Sequence, residues 1–81
     1  MTVAPRVLVY TKPGCHLCED ACAAVARITA EVGATWAALD ISTDDQLMRQ
    51  WAEYVPVILV DDEVHDWFRV RDDRLRSALV T

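Results

Sequence analysis

Two cysteines three residues apart offer redox chemistry. Cys15 and Cys18 stand in the segment Cys15-His16-Leu17-Cys18, directly before a stretch with helical periodicity. This spacing at a helix start brings the two sulfur atoms within one turn, so that they can form a disulfide with little backbone motion. The N–H groups and positive dipole end of a helix favour a thiolate, the nucleophile of thiol–disulfide exchange. We therefore expect Cys15, the more exposed sulfur, to attack disulfides and Cys18 to resolve the mixed disulfide.

Two basic side chains flank the first cysteine. Lys12 is the only lysine in the sequence, and His16 follows Cys15 directly. Lys12, and His16 when protonated, would add positive potential that favours the thiolate. Each also has an ordinary interpretation as a solvated surface group. We predict that both belong to the substrate-binding side of the site.

The third cysteine has two interpretations. Cys22 lies four residues after Cys18 on the apolar face of the predicted helix, and a buried free cysteine commonly behaves as a small hydrophobic residue. Core packing is the expected role of Cys22, and a third redox or ligand role stays open. His65, within a predicted strand, is expected to be structural.

Three cysteines within eight positions differ from the even, dispersed set of a secreted disulfide scaffold, so we expect a cytoplasmic protein.

Length and composition predict one folded domain over residues 1–81. The 81 residues are 53% hydrophobic, which suits a packed core. Thirteen acidic against eight basic residues give a net charge of −5, without a basic run, which argues against nucleic-acid binding. A stretch of roughly 20 apolar residues, as a transmembrane helix needs, is missing, and no secretory signal is visible. We expect a monomer without a membrane partner.

The pattern of apolar residues predicts the element order βαβαββα, an α/β fold. The helix that follows the dithiol ends before Gly33, and Thr43 with Gln46 has the spacing of a capping box at the start of the second helix. Strands joined through a helix run parallel, and a hairpin adds an antiparallel strand, so a mixed four-stranded sheet flanked by helices is expected. The predicted strands are Val7–Tyr10, Thr35–Ile41, Pro56–Val60 and Val64–Phe68, and the first and last helices are His16–Val32 and Asp72–Val80.

The motif order resembles the glutaredoxin-like branch of the thioredoxin superfamily over nearly the whole chain. The resemblance lies in an apolar strand leading through Thr11-Lys12-Pro13-Gly14 into the dithiol, and in Val55-Pro56 before another apolar strand. It implies a thioredoxin-like fold and a thiol–disulfide oxidoreductase that reduces protein or glutathione mixed disulfides. It also implies that Pro56 is cis and faces the dithiol, that the Val55 backbone binds a peptide-like substrate, and that Lys12 holds a glutathione carboxylate.

The sequence departs from the family pattern where glutathione is expected to lie. Glutaredoxins usually carry a Gly-Gly pair after the hairpin, whereas here His65-Asp66-Trp67-Phe68 occupies that region and no glycine follows Gly33. Bulky side chains there would fill the groove. We expect Trp67 or Phe68 to weaken glutathione binding, and strand alternation predicts that one lines the groove while the other packs inward.

Three functions remain open at this stage. The first is a dithiol enzyme that acts on a disulfide-containing protein or on glutathione, with glutathione as reductant or co-substrate and no resident cofactor. The second is a zinc or iron–sulfur module, and a zinc site would need Cys15, Cys18 and two ligands from Cys22, His16 or His65. The third is a redox-switch domain that binds a partner protein without turnover.

Overall fold

A mixed four-stranded sheet forms the centre of the structure, a computed structural model that describes residues 4–80. The sheet order is β2-β1-β3-β4, with β1 parallel to β2, β3 antiparallel to β1, and β4 antiparallel to β3. The strands are β1 (Val7–Thr11), β2 (Trp36–Asp40), β3 (Val57–Val60) and β4 (Glu63–Trp67), and the helices are α1 (His16–Val32), α2 (Asp45–Trp51) and α3 (Asp72–Leu79). The predicted fold class is confirmed. The predicted domain also includes residues 1–3 and 81, which lie outside the described residues.

The larger part of the core lies between the sheet and helices α1 and α3. Alternate residues of β1 point to this side, because side chains alternate along a strand. The buried members are Val7, Val9, Val25, Ile28, Ile58, Val60, Leu75 and Leu79. This apolar layer holds the first turn of α1 at the end of β1, which is where the dithiol stands.

A second, smaller cluster lies beneath the dithiol. Its buried members are Cys18, Ile41 and Val55, and the predicted inner face of α2 packs against them through Leu47, Met48 and Trp51. Helix α2 therefore supports the site through one apolar face, although none of its own residues is fully buried. Within residues 4–80, every helix is too short or too polar to span a bilayer.

The start of α2 differs from the predicted capping box. Asp44, and not Thr43, is the N-cap residue, and its Oδ1 accepts the N–H groups of Gln46 and Leu47 at 2.9 and 3.1 Å. Thr43 instead ends a 3-10 turn, Ile41–Thr43, that follows β2. Asp40 caps this turn, because its Oδ1 accepts both the N–H and the hydroxyl of Ser42. The start of the helix therefore lies one residue further along the chain, and Ile41 is buried in the cluster beneath the dithiol.

His65 predicts a pH dependence of folding stability. Its Nε2 atom is buried without a hydrogen-bond partner among the described residues. Burial lowers the pKa of His65 from its ordinary value of 6.5, and the nearby Arg74 lowers this pKa further, while Asp66 opposes the shift. Because the unfolded chain then binds a proton more readily than the folded chain, stability is expected to fall as the pH drops below about 6.5.

Unfolding by urea at pH 7.5 and pH 5.5 measures this loss, with His65→Asn as the comparison. The variant should lose less stability between the two pH values than the wild type. The carboxyl groups of Asp40 and Asp61, whose pKa values are lowered by hydrogen bonds, titrate below this window. An identical pH response in wild type and variant would assign the loss to other groups.

Candidate active site

Cys15 and Cys18 form a disulfide at the N-terminus of α1. Cys15 is the N-cap residue of the helix, and its Sγ accepts the backbone N–H of Cys18 at 3.1 Å. Gly14 precedes it with φ 74°, a left-handed conformation that glycine adopts without steric cost. The Cα atoms of the two cysteines are 5.2 Å apart, which is within the ordinary range for a disulfide. The arrangement therefore permits reversible two-electron exchange between a dithiol and a disulfide.

The two sulfur-bearing residues differ in accessibility. Cys18 is only 4% exposed and belongs to the buried cluster with Ile41 and Val55. Cys15 is half-buried at the margin of this cluster. An incoming molecule therefore reaches Cys15 more easily than Cys18, which fits the order of attack predicted from the sequence.

The Val55–Pro56 peptide bond is cis, as the resemblance implied. Both residues are buried, and Val55 packs in the same cluster as Cys18. They immediately precede β3, the neighbour of β1 on the side away from β2. The structure thus places them beside the dithiol in the fold, and their role in substrate binding stays a prediction.

Lys12 lies next to the dithiol loop and reaches towards α2. Its Nζ donates a hydrogen bond to the carbonyl of Ala52, 3.2 Å away, at the C-terminal end of that helix. A cation there interacts favourably with the helix dipole and satisfies a terminal carbonyl. An ammonium group has three N–H donors, so this bond leaves capacity for a carboxylate. The predicted role towards glutathione stays open.

His16 lies on the outer surface of α1. Its side chain is 97% exposed, and Nδ1 is 3.8 Å from Oε2 of Glu19. Solvent screens the charge of such a group strongly. The structure therefore places His16 beside Cys15 in sequence but not within the buried part of the site.

Phe68 does not occupy the strand position that alternation predicted. Strand β4 ends at Trp67, and Phe68 follows with φ 69°, a left-handed conformation that is unfavourable for a bulky side chain. The expectation that one of the two aromatic side chains packs inward is wrong, since Trp67 is 49% and Phe68 45% exposed. The N–H of Phe68 donates to the carbonyl of Pro56 at 2.8 Å, which ties this residue to the segment before β3.

Four aromatic rings extend from the sheet to Phe68, and of these only Phe68 is predicted from the sequence to border the site. Successive ring centroids lie 6.2 Å apart for Tyr10 and Trp51, 6.1 Å for Trp51 and Tyr54, and 6.4 Å for Tyr54 and Phe68. Tyr54 is exposed, as is Leu17 inside the dithiol loop. The signal for Tyr54 was its place directly before Val55-Pro56. These side chains give the site an apolar border.

Cys22 contacts the larger core only in part. It is half-buried at the edge of that core, and burial raises the pKa of its thiol. It also borders a cleft next to the disulfide. The prediction that Cys22 packs in the core is thus confirmed in part.

Within residues 4–80, no group of three or more histidine, cysteine or acidic side chains is arranged to hold a metal ion.

The three thiols of the reduced protein are expected to differ in alkylation rate. Cys15 should react first near neutral pH, because it is accessible and stands at the helix N-terminus. Cys18 is shielded, and the raised pKa of Cys22 lowers its thiolate fraction. Timed quenching with iodoacetamide, followed by peptide mass spectrometry, measures the order. Equal rates at all three positions would contradict it.

Comparison with known proteins agrees with this geometry. The sequence model of a family described as "Glutaredoxin-like domain (DUF836)" matches residues 6–80. Uncharacterised proteins of Mycobacterium tuberculosis and Mycobacterium bovis are 28% identical over 80 residues, covering 93% of this chain and 82% of theirs.

Solved structures share the fold. A protein of Nitrosomonas europaea, determined by solution NMR, has a TM-score of 0.79 and 26% identity, covering 98% of this chain and 96% of its own. The holo form of glutaredoxin C1 from Populus tremula x tremuloides has a TM-score of 0.51 and 16% identity, covering 90% and 72% respectively. The second likeness concerns the fold alone.

Proposed function

The chain belongs to the glutaredoxin-like domain family, and from this premise we propose that it is a thiol–disulfide oxidoreductase that reduces disulfides through Cys15 and Cys18. The observation that carries the proposal is the position of Cys15 as N-cap of α1. Its Sγ already accepts the Cys18 N–H in the disulfide form. The same N–H and the helix dipole would stabilise a thiolate on Cys15 after reduction.

The reaction proceeds in two exchanges. The Cys15 thiolate attacks one sulfur of the substrate disulfide, a new S–S bond forms, and the other substrate sulfur leaves as a thiolate that takes up a proton. The Cys18 thiol loses its proton and attacks Cys15 Sγ. This closes the Cys15–Cys18 disulfide and releases the second substrate thiol. Two electrons have passed from the protein dithiol to the substrate, and an external dithiol or two molecules of glutathione restore the protein.

Burial of Cys18 suits the second exchange. Cys18 as a residue is only 4% exposed and meets few external disulfides, so its main available target is the neighbouring Cys15. The cluster of Ile41 and Val55 holds Cys18 in place through apolar contact. The intramolecular exchange thereby gains from proximity, which commonly gives large effective concentrations.

The test compares two reductants on the same oxidised protein. Turnover of hydroxyethyl disulfide is followed by NADPH consumption, once with glutathione and glutathione reductase, and once with a thioredoxin-type reductant. We expect turnover with at least one system, and weaker turnover with glutathione because Phe68 stands at the edge of the groove. Cys15→Ser is the inactive reference. Absence of turnover with both reductants would reject the proposed enzyme.

A redox-switch domain is the second candidate, and the exposed apolar border formed by Leu17, Tyr54 and Phe68 favours it. Such a border suits contact with a protein surface. In this case an oxidant takes up two electrons and two protons when the disulfide closes, a cellular thiol returns them when it opens, and the dithiol cycles once per signal. The turnover measurement distinguishes the two functions, because a switch oxidises stoichiometrically and then stops.

A further inference from the structure

A cleft of about 310 Å³ opens beside the disulfide. On the sheet side it is lined by Thr11, at the carboxyl end of β1, and by Ala38, in the middle of the parallel strand β2. Cys15 and Cys18 lie on its wall, together with the exposed Glu19 of α1. Crevices at the carboxyl ends of parallel strands are frequent ligand sites in α/β folds.

The cleft lies on the opposite side of β1 from Val55 and Pro56. It opens over β1 and β2, whereas Val55 and Pro56 lead into β3 on the other side of β1. A substrate bound to Cys15 therefore has Val55 and Pro56 on one side and the cleft on the other. The cleft reaches the reactive cysteine, because Cys15 is one of the residues that line it.

We propose that this cleft binds an uncharged, apolar side chain of the residue adjacent to the reactive cysteine in a protein disulfide. The inference rests on the proposed function and defines its substrate class. A neighbouring side chain is brought to the cleft mouth as soon as the substrate cysteine reaches Cys15. Covalent attachment then makes the contact intramolecular, so even a weak apolar contact is populated.

The cleft has room for a whole apolar side chain. A volume of about 310 Å³ is at the lower end of the range, roughly 300–1,000 Å³, that small-molecule sites occupy. The small side chains of Ala38 and Cys18 leave this space open. A leucine or valine from the substrate would bury apolar area there against methyl and sulfur atoms.

Charge argues for an uncharged occupant. Glu19 lies on the wall, and the chain carries a net charge of −5, so an acidic side chain would be repelled. Lys12 also lines the cleft, but its amine donates a hydrogen bond to the carbonyl of Ala52, which is not part of the lining. Glutathione presents two carboxylates and no apolar side chain beside its cysteine. It therefore cannot make the apolar contact that is proposed for this cleft.

Three symmetric peptide disulfides test the proposal, with leucine, glycine or glutamate on both sides of the cysteine. For the wild type we expect kcat/KM for the leucine peptide to be about tenfold that for the glycine peptide, and the glutamate peptide to be slowest. Ala38→Leu fills the cleft from an exposed strand position and should reduce the leucine-to-glycine ratio to below about twofold. Ala30→Leu, on an exposed part of α1 away from the cleft, is the matched control and should keep the wild-type ratio.

The outcomes separate this inference from the function on which it rests. Turnover of hydroxyethyl disulfide with equal rates for all three peptides would overturn the cleft assignment and leave the oxidoreductase intact. A leucine preference that survives in folded Ala38→Leu would likewise overturn it. If Ala38→Leu fails to fold by circular dichroism, Ala38→Val, with a smaller β-branched side chain, takes its place. Absence of turnover with every disulfide would instead reject the proposed function.

Discussion

Replacing Cys15 with serine is expected to lower disulfide turnover by about a thousandfold or more, the largest effect of any single substitution in this chain. A serine hydroxyl does not ionise near neutral pH and cannot form the mixed disulfide. The remaining thiols cannot substitute for Cys15, since Cys18 is 4% exposed and burial raises the pKa of Cys22. Steady-state reduction of hydroxyethyl disulfide with the better of the two reductants gives the comparison.

Two further cysteine variants make this result interpretable. Cys18→Ser should still attack but should accumulate the mixed disulfide on Cys15, visible by mass spectrometry as one added substrate half. Cys22→Ala should keep turnover within about twofold while lowering the free energy of unfolding by about 1 kcal/mol, as for loss of a small half-buried group. If Cys15→Ser kept substantial turnover, or Cys22→Ala lost it with an unchanged fold, the nucleophile would have to be reassigned.

The position of the dithiol followed from local patterns that tertiary contacts do not override. Three patterns follow one another along the chain. The apolar run Val7–Tyr10 predicts a strand, Gly14 predicts a turn, and the helical periodicity after Cys15 predicts a helix. Together they place both sulfur atoms at the start of a helix. The mixed character of the sheet then follows from connection rules, because two strands joined through a helix run parallel and a hairpin adds an antiparallel strand. The cis state of Pro56 came from family resemblance, since composition alone gives an X–Pro bond only a roughly 5–6% chance of being cis.

Two predictions from the sequence were wrong, the first residue of α2 and the last residue of β4, and both involve contacts between distant segments. Helix α2 starts after Asp44 and not after Thr43, because a 3-10 turn capped by Asp40 takes up Ile41–Thr43. Ile41 is buried in the cluster beneath the dithiol, and no local pattern indicates this burial. Phe68 continues the pairing with β3 through its N–H bond to the carbonyl of Pro56. The strand ends there because proline has no N–H to donate in return and Phe68 adopts a left-handed φ of 69°. Alternation along β4 could not have revealed this, because the rule holds only while the backbone stays extended.

Phe68→Gly is expected to strengthen glutathione binding about tenfold, the second-largest effect predicted here. The ring of Phe68 borders a groove shared with Leu17 and Ala21, and glycine would open the space beside the backbone where the family resemblance places glutathione. The cost to stability should be small. Glycine relieves about 1 kcal/mol of strain at φ 69° and forfeits a ring contact with Tyr54 of similar size.

Calorimetric titration of glutathione into wild type, Phe68→Gly and Trp67→Gly, with a melting curve for each, decides the matter. Trp67 is paired with Val57 within the sheet, so glycine there should lower the melting temperature without a gain in affinity. Phe68 lies beyond the strand end and should show the opposite pattern, because the same substitution there relieves backbone strain and removes the ring from the groove. Tight binding to the wild type, or no gain in folded Phe68→Gly, would mean that the aromatic side chain does not obstruct the groove.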